Sequence, residues 1–159
     1  MKKLMRLLLS VLACFVVIFA TKFIMPPAAV ALSFNEFVDK PILVVDDYVT
    51  MRSIVRKLLL QLGTSNMIEA HDGESALRAL RKENVALIIV DWTMQPMTGL
   101  QLLKEIRADA DINLRNVPFL MMTAETRTDQ VKASKEAGAN DCIIKPFNAQ
   151  TLKRKIESM

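Results

Sequence analysis

The sequence is poor in cysteine, glycine and aromatic residues, and each shortage excludes a class of structure. Its 159 residues contain two cysteines, Cys14 and Cys142, which are too few and too far apart for a disulfide framework or a zinc site. The four glycines form no G-x-G-x-x-G loop of the kind that cradles a phosphate. No apolar heptad is sustained, which excludes a coiled coil, and the dense Val, Ile and Leu from residue 41 onward exclude intrinsic disorder.

Positive charge is concentrated near the N-terminus. The formal net charge is +4, of which residues 1–40 contribute +3, with five Lys or Arg against two acids. Residues 41–159 carry sixteen basic and fifteen acidic residues and are almost neutral. Because this larger part has no long basic run and few aromatic residues, we do not expect direct nucleic-acid binding.

The first 31 residues have the composition of a leader. Three basic residues precede the mainly apolar stretch 7–20, which is fourteen residues long and shorter than the ~20 residues of a typical membrane span. A basic start, a short apolar core and the small residues Ala29 and Ala31 are typical of a secretory signal.

Three interpretations of residues 1–31 remain open. They are a signal peptide, a membrane anchor, or spurious upstream sequence read in frame before a true start near Val30 or Leu32. We favour the third. Residues 32–40 are interpreted as a linker, and residues 41–159 as one globular domain.

From residue 41 onward, short apolar runs alternate with helical patterns. The runs are too short for helices and rich in β-branched or large apolar residues, which predicts strands at 42–45, 67–70, 85–90, 117–122 and 142–144. The intervening residues show helical periodicity, which predicts five helices over 51–62, 75–82, 100–107, 129–137 and 150–158. The candidate caps and stops for these helices are Asp72, Thr98, Asn148, Gly63 and Gly138.

Five strands that alternate with five helices predict an α/β fold. Right-handed crossovers then give a doubly wound, five-stranded parallel sheet with helices on both faces. The runs 85–90 and 117–122 are apolar throughout, as expected for central strands that are covered on both faces.

Polar side chains follow four of the five predicted strands at their carboxyl ends. They are Asp46 with Asp47, then Asp91, Thr123 and Lys145. Ligands of open α/β sheets bind in the crevice outside those ends, so we expect these side chains to meet in one pocket. Any single aspartate here is more simply a helix cap or turn residue, but the coincidence at four strand ends favours a site.

The residue types at this edge suit magnesium and phosphate. Three carboxylates in one pocket repel one another unless a cation compensates, and an oxygen-only cluster suits Mg²⁺. The metal ion, the Lys145 ammonium and the Thr123 hydroxyl would surround an oxygen of Asp91 with groups suited to a phosphoryl anion. Asp91 is therefore the predicted nucleophile of a phosphoryl transfer.

Four short motifs resemble the receiver domain of two-component response regulators. The resemblance spans nearly all of residues 41–159 and is to the stand-alone, chemotaxis-type (CheY-like) members. It implies the flavodoxin-like strand order 2-1-3-4-5. The motifs are I-L-V-V-D-D at 42–47, D-W-T-M-Q-P-M-T-G at 91–99, M-T-A at 122–124 and K-P-F at 145–147.

The resemblance implies a role for each polar residue. Asp47 and Asp91 would ligate Mg²⁺ directly, together with the backbone carbonyl of Thr93, while Asp46 would act largely through water. Asp91 would accept a phosphoryl group from a phosphohistidine of a sensor histidine kinase or phosphotransfer protein.

The remaining two residues would bind the transferred group. Thr123 would swing toward the phosphoryl group, and Lys145 would pair with it from a position before a cis bond to Pro146. The protein would then be a phosphorylation-driven switch for a downstream protein target, catalysing only its own phosphorylation and dephosphorylation. We expect a cytoplasmic location in spite of the leader, because an exported protein would meet no kinase supplied with ATP; the leader leaves membrane tethering or export as the alternatives.

The sequence departs from the family pattern at two positions. Pro96 is displaced along the loop after Asp91, and Cys142 stands where many relatives have an aromatic residue, so switching would rely on the backbone after Thr123. Thr93 and Glu125 match positions that influence loss of the phosphoryl group.

Three alternative functions are weaker. A haloacid-dehalogenase-like phosphatase usually needs a second acid where this chain has Thr93, and a flavodoxin-like cofactor binder lacks its glycine-rich motif. A non-phosphorylated pseudo-receiver that acts only as a docking module is disfavoured because all five pocket residues are present.

Overall fold

The computed structural model of the protein describes residues 40–124 and 128–159. The predicted leader, all of the linker except Lys40, and Glu125 lie outside these residues. None of the helices in the described part of the chain combines the length and the apolarity needed to cross a bilayer.

Five parallel strands form one sheet in the order β2-β1-β3-β4-β5. The predicted α/β class and the strand order implied by the resemblance are therefore confirmed. The strands are β1 (Ile42–Val45), β2 (Met67–Ala70), β3 (Leu87–Asp91), β4 (Phe119–Thr123) and β5 (Asp141–Ile144).

Two central strands begin two residues later than the sequence predicts. Val85 and Val117 are buried, but they precede β3 and β4 rather than belonging to them. Burial of apolar residues looks the same in a strand and in the connection that leads into it, so periodicity cannot fix these boundaries. Asp91 and Thr123 are in turn the last residues of their strands instead of the first residues beyond them.

The structure has six helices in the residues it describes, against the predicted five. The additional one, at Ile112–Arg115, is a single turn and too short to show periodicity. In chain order the helices are α1 (Val49–Gln61), α2 (Gly73–Leu80), α3 (Gly99–Ala108), α4 (Ile112–Arg115), α5 (Thr128–Glu136) and α6 (Ala149–Glu157).

The predicted helix caps are confirmed. Asp72, Thr98 and Asn148 are the N-caps of α2, α3 and α6, and each side chain accepts a backbone N–H three residues on. Gly63 and Gly138 follow α1 and α5 with φ of 91° and 96°, a left-handed conformation that favours glycine.

The sheet is covered on both faces, as a doubly wound fold requires. Leu43 and Val45 pack with residues of α2 and α3, whereas Ile42 and Val44 pack with residues of α1 and α6. Alternate residues of one strand thus serve opposite hydrophobic clusters, which is why the strand is apolar throughout.

Ion pairs join the edge strand β2 to helix α1. Arg52 Nε lies 3.1 Å from Glu69 Oε2, and Arg56 also donates to the Glu69 carboxylate. The hydrogen bond from Arg56, supported by Arg52 and opposed by burial, lowers the pKa of Glu69. This strand is only partly buried, so the two arginines supply contacts that the core does not.

Candidate metal and phosphoryl site

The strand register brings the predicted polar residues to one edge of the sheet. Val45 at the end of β1 lies opposite Val90, the residue before Asp91, while Asp91 lies opposite Met122 and Thr123 lies opposite Ile144. The residues that end or follow β1, β3, β4 and β5 therefore occupy neighbouring positions, as the topology predicts.

Three carboxylates lie together at this edge. Asp46, Asp47 and Asp91 each offer an oxygen within 4.8 Å of the others. Asp46 is 0% exposed and Asp91 is 6% exposed, so water screens little of their mutual repulsion. The cluster requires a compensating cation.

Lys145, the residue after β5, supplies one positive charge. Its Nζ lies 3.0 Å from Asp46 Oδ2 and 2.9 Å from Asp91 Oδ1. Its backbone N–H donates to the Thr123 carbonyl at 2.7 Å, which continues the ladder one residue beyond the strands. Burial opposes its charge, but hydrogen bonds to Asp91 and Asp46 prevail and raise the pKa of Lys145.

Asp91 is held at both carboxylate oxygens. Oδ1 pairs with Lys145, and Oδ2 accepts the backbone N–H of Thr93 at 3.2 Å. Burial raises the pKa of Asp91 in spite of the Lys145 ion pair, and the nearby charge of Asp46 adds to that rise. A further cation in the pocket would therefore stabilise the charged form of Asp91.

The two adjacent aspartates have different surroundings. Asp46 Oδ1 accepts the N–H of Tyr48 at 2.9 Å and its Oδ2 pairs with Lys145, so both oxygens already have partners. Asp47 Oδ1 is buried and has no hydrogen-bond partner among the residues that the structure describes. An orphaned buried carboxylate oxygen costs free energy, and a divalent cation would remove that cost.

The structure adds two residues that sequence reasoning missed. Arg52 donates from Nη1 to the backbone carbonyl of Asp46 at 2.8 Å and so fixes the turn that carries the acidic pair. Gln130 of α5 accepts the hydroxyl hydrogen of Thr123 at 2.6 Å. Both lie within helical patterns, where nothing in the sequence distinguishes them from solvated polar residues.

The loop after Asp91 returns closely to its own strand. The Gly99 N–H donates to the carbonyl of Trp92 at 3.1 Å, and a Cβ at Gly99 would lie 2.2 Å from the carbonyl oxygen of Asp91. The position therefore admits only glycine without a backbone shift. The peptide bonds preceding Pro96 and Pro146 are both cis, the latter as the resemblance implied.

A parallel sheet in this order, with three acids, a lysine and a threonine at its carboxyl edge, defines a receiver domain. Residues 42–157 match the response regulator receiver domain family, and the chain belongs to that family, whose members act in two-component signalling rather than as classical enzymes.

Two similar proteins within this family are chemotaxis proteins. The chain is 47% identical over 118 residues to the chemotaxis protein CheY of Pseudomonas aeruginosa, covering 74% of this chain and 94% of the relative. Its structure resembles that of the chemotaxis response regulator CheY4 of Vibrio cholerae, with a TM-score of 0.65 and 32% identity over 73% of this chain and 98% of the other.

One structural neighbour concerns the metal. The receiver domain of a sensor histidine kinase of Pseudomonas aeruginosa, with a TM-score of 0.66 and 28% identity, has a magnesium ion coordinated in its active-site cleft; the similarity covers 74% of this chain and 94% of that one. The cluster of Asp46, Asp47 and Asp91 fits such an ion, because it offers only hard oxygen donors and includes Asp47 Oδ1, which has no hydrogen-bond partner in the described residues.

Proposed function

We propose that the protein is a single-domain response regulator of a two-component phosphorelay. Asp91 accepts a phosphoryl group from a phosphohistidine of a sensor histidine kinase or phosphotransfer protein, and the modified domain regulates a protein partner. The observation that carries the proposal is the Lys145 ammonium between Asp46 and Asp91, beside a buried Asp47 oxygen without a partner in the described residues.

The residues that would hold Mg²⁺ are those that the resemblance implies. Asp47 and Asp91 would be direct ligands together with the backbone carbonyl of Thr93, and Asp46 would act through water. The buried Asp47 Oδ1, which has no hydrogen-bond partner in the described residues, supports this set. The ion, when bound, supplies charge neutralisation for an incoming phosphoryl group.

The chain's own residues account for the transfer. An Asp91 carboxylate oxygen attacks phosphorus, the P–N bond to the donor imidazole breaks, and the imidazole leaves with the electron pair and is protonated. Lys145, whose ammonium already touches Asp91, shifts to an oxygen of the acyl phosphate. Thr123, the last residue of β4, donates its hydroxyl hydrogen to the same group.

The proposal extends to domain organisation and location. Residues 41–159 are the receiver, and residues 1–31 and 32–40 keep the sequence-based interpretation as leader and linker. The receiver works in the cytoplasm, where a phosphohistidine donor is regenerated from ATP.

Intact-mass analysis tests the phosphoacceptor. With Mg²⁺ and a small phosphodonor, the protein should gain the mass of one phosphate, and Asp91→Asn should not. Asp109→Asn is a matched control, because that carboxylate caps a turn by accepting the Asp111 N–H, and an asparagine oxygen can do the same. Equal labelling of wild type and Asp91→Asn would refute the assignment, and an unlabelled wild type would favour the pseudo-receiver.

A further inference from the structure

The buried Thr123 hydroxyl is engaged by helix α5. Thr123 is 2% exposed, and its Oγ1 donates to Gln130 Oε1 at 2.6 Å. Gln130 lies seven residues after Thr123 in the sequence and is the third residue of α5. The bond therefore ties the carboxyl end of β4 to the helix that follows it in the chain.

A hydroxyl group has one hydrogen to donate. A phosphoryl group on Asp91 would be an anion at neutral pH, with oxygens that accept hydrogen bonds but give none. The Thr123 hydrogen can thus go to Gln130 or to the phosphoryl group, and never to both. The two interactions exclude each other.

We propose that Gln130 is a positioning residue that holds the Thr123 hydroxyl away from the phosphoryl site and competes with the phosphoryl group for its hydrogen. The inference rests on the proposed function and adds to it the side chain that opposes the phosphorylated state. Phosphorylation then breaks this hydrogen bond between β4 and α5, so the modification reaches a surface helix.

The hydrogen bond to Gln130 matters more in this chain because β5 has Cys142 where many relatives have an aromatic residue. Cys142 is buried among the residues of one hydrophobic cluster and has no ring to move. The Gln130 bond offers a connection from the site to α5 that needs no aromatic side chain. Linkage requires that removing the competitor strengthens the binding of a phosphoryl group, by the same free energy with which phosphorylation weakens the bond.

The experiment measures the affinity of the protein for beryllium fluoride, a mimic of the phosphoryl group, in the presence of Mg²⁺. Trp92 is the only tryptophan and is adjacent to Asp91, so its fluorescence reports binding. Gln130→Met keeps the length of the side chain but removes the acceptor, and should tighten binding about fivefold, the worth of one ordinary hydrogen bond. Gln130→Glu offers a stronger, charged acceptor and should weaken binding.

Repeating the measurement in a Thr123→Val background separates competition for the hydroxyl hydrogen from a structural effect of the Gln130 substitution. In Thr123→Val, which has no hydroxyl to share, Gln130→Met should leave the affinity for beryllium fluoride unchanged. A merely structural role of Gln130 would shift the affinity equally in both backgrounds.

The outcomes distinguish this inference from the function on which it rests. If the wild type binds beryllium fluoride with Mg²⁺ and Gln130→Met binds with equal affinity, or tightens equally without the Thr123 hydroxyl, the role of Gln130 is refuted and the function stands. If the wild type shows no Mg²⁺-dependent binding, the proposed function fails and the inference fails with it.

Discussion

Replacing Lys145 with methionine should destabilise the folded protein by leaving buried carboxylates without their cation. The Lys145 side chain is 20% exposed, and its partners Asp46 and Asp91 have side chains that are 0% and 8% exposed. Methionine retains most of the aliphatic stem, so the substitution removes charge with little loss of packing.

The burial of Lys145 and its two partners sets the expected loss of stability. Removing one partner of a fully buried ion pair costs about 3–5 kcal/mol. Lys145 is partly hydrated, and a buried aspartate can take up a proton, so we expect a loss of about 2–3 kcal/mol in the free energy of unfolding.

Urea unfolding in EDTA measures this loss. The matched control is Lys155→Met, which breaks a more exposed pair with Asp141, with side chains 36% and 20% exposed, and should cost at most ~1 kcal/mol. Added Mg²⁺ should recover part of the loss in Lys145→Met, because a bound ion stabilises only the folded state. If both variants lose the same small amount, Lys145 does not compensate the acidic cluster and the electrostatic account of the pocket is wrong.

Two further predictions concern the close approach at Gly99 and the ion pairs between β2 and α1. Gly99→Ala places a Cβ 2.2 Å from the backbone oxygen of Asp91 and should cost roughly 2–3 kcal/mol in urea unfolding, whereas Gly73→Ala meets only a flexible methionine side chain and should cost less. Arg56, more than any other group, lowers the pKa of Glu69 below its ordinary 4.5, so the wild type should be more stable than Glu69→Gln at neutral pH. That difference should shrink as pH falls through the lowered pKa, and a difference that grew on acidification would contradict the ion-pair assignment.

Local sequence signals accounted for most of the fold. Asp72 and Thr98 accept backbone N–H groups three residues away, and Gly63 ends α1 with a left-handed residue. These features depend on neighbours along the chain, so they can be predicted from short windows. The single turn of α4 is too short to show periodicity, and the starting residues of β3 and β4 depend on where the sheet begins in space, so neither could be predicted.

The composition of the pocket could also be predicted, but its internal contacts could not. Alternating strands and helices require that residues at strand ends share one edge, which brings Asp46, Asp91 and Lys145 together from distant positions. Distances, burial and the unpartnered Asp47 oxygen arise from packing, which no spacing in the sequence encodes.

The sequence by itself determined which chemical groups meet at the edge of the sheet, because periodicity and strand ends are local properties of the chain. Only the tertiary structure decided how those groups are held. The bond from Thr123 to Gln130 and the one from Arg52 to the Asp46 carbonyl join separate elements, and their geometry exists only once β4 packs beside α5 and β1 beside α1.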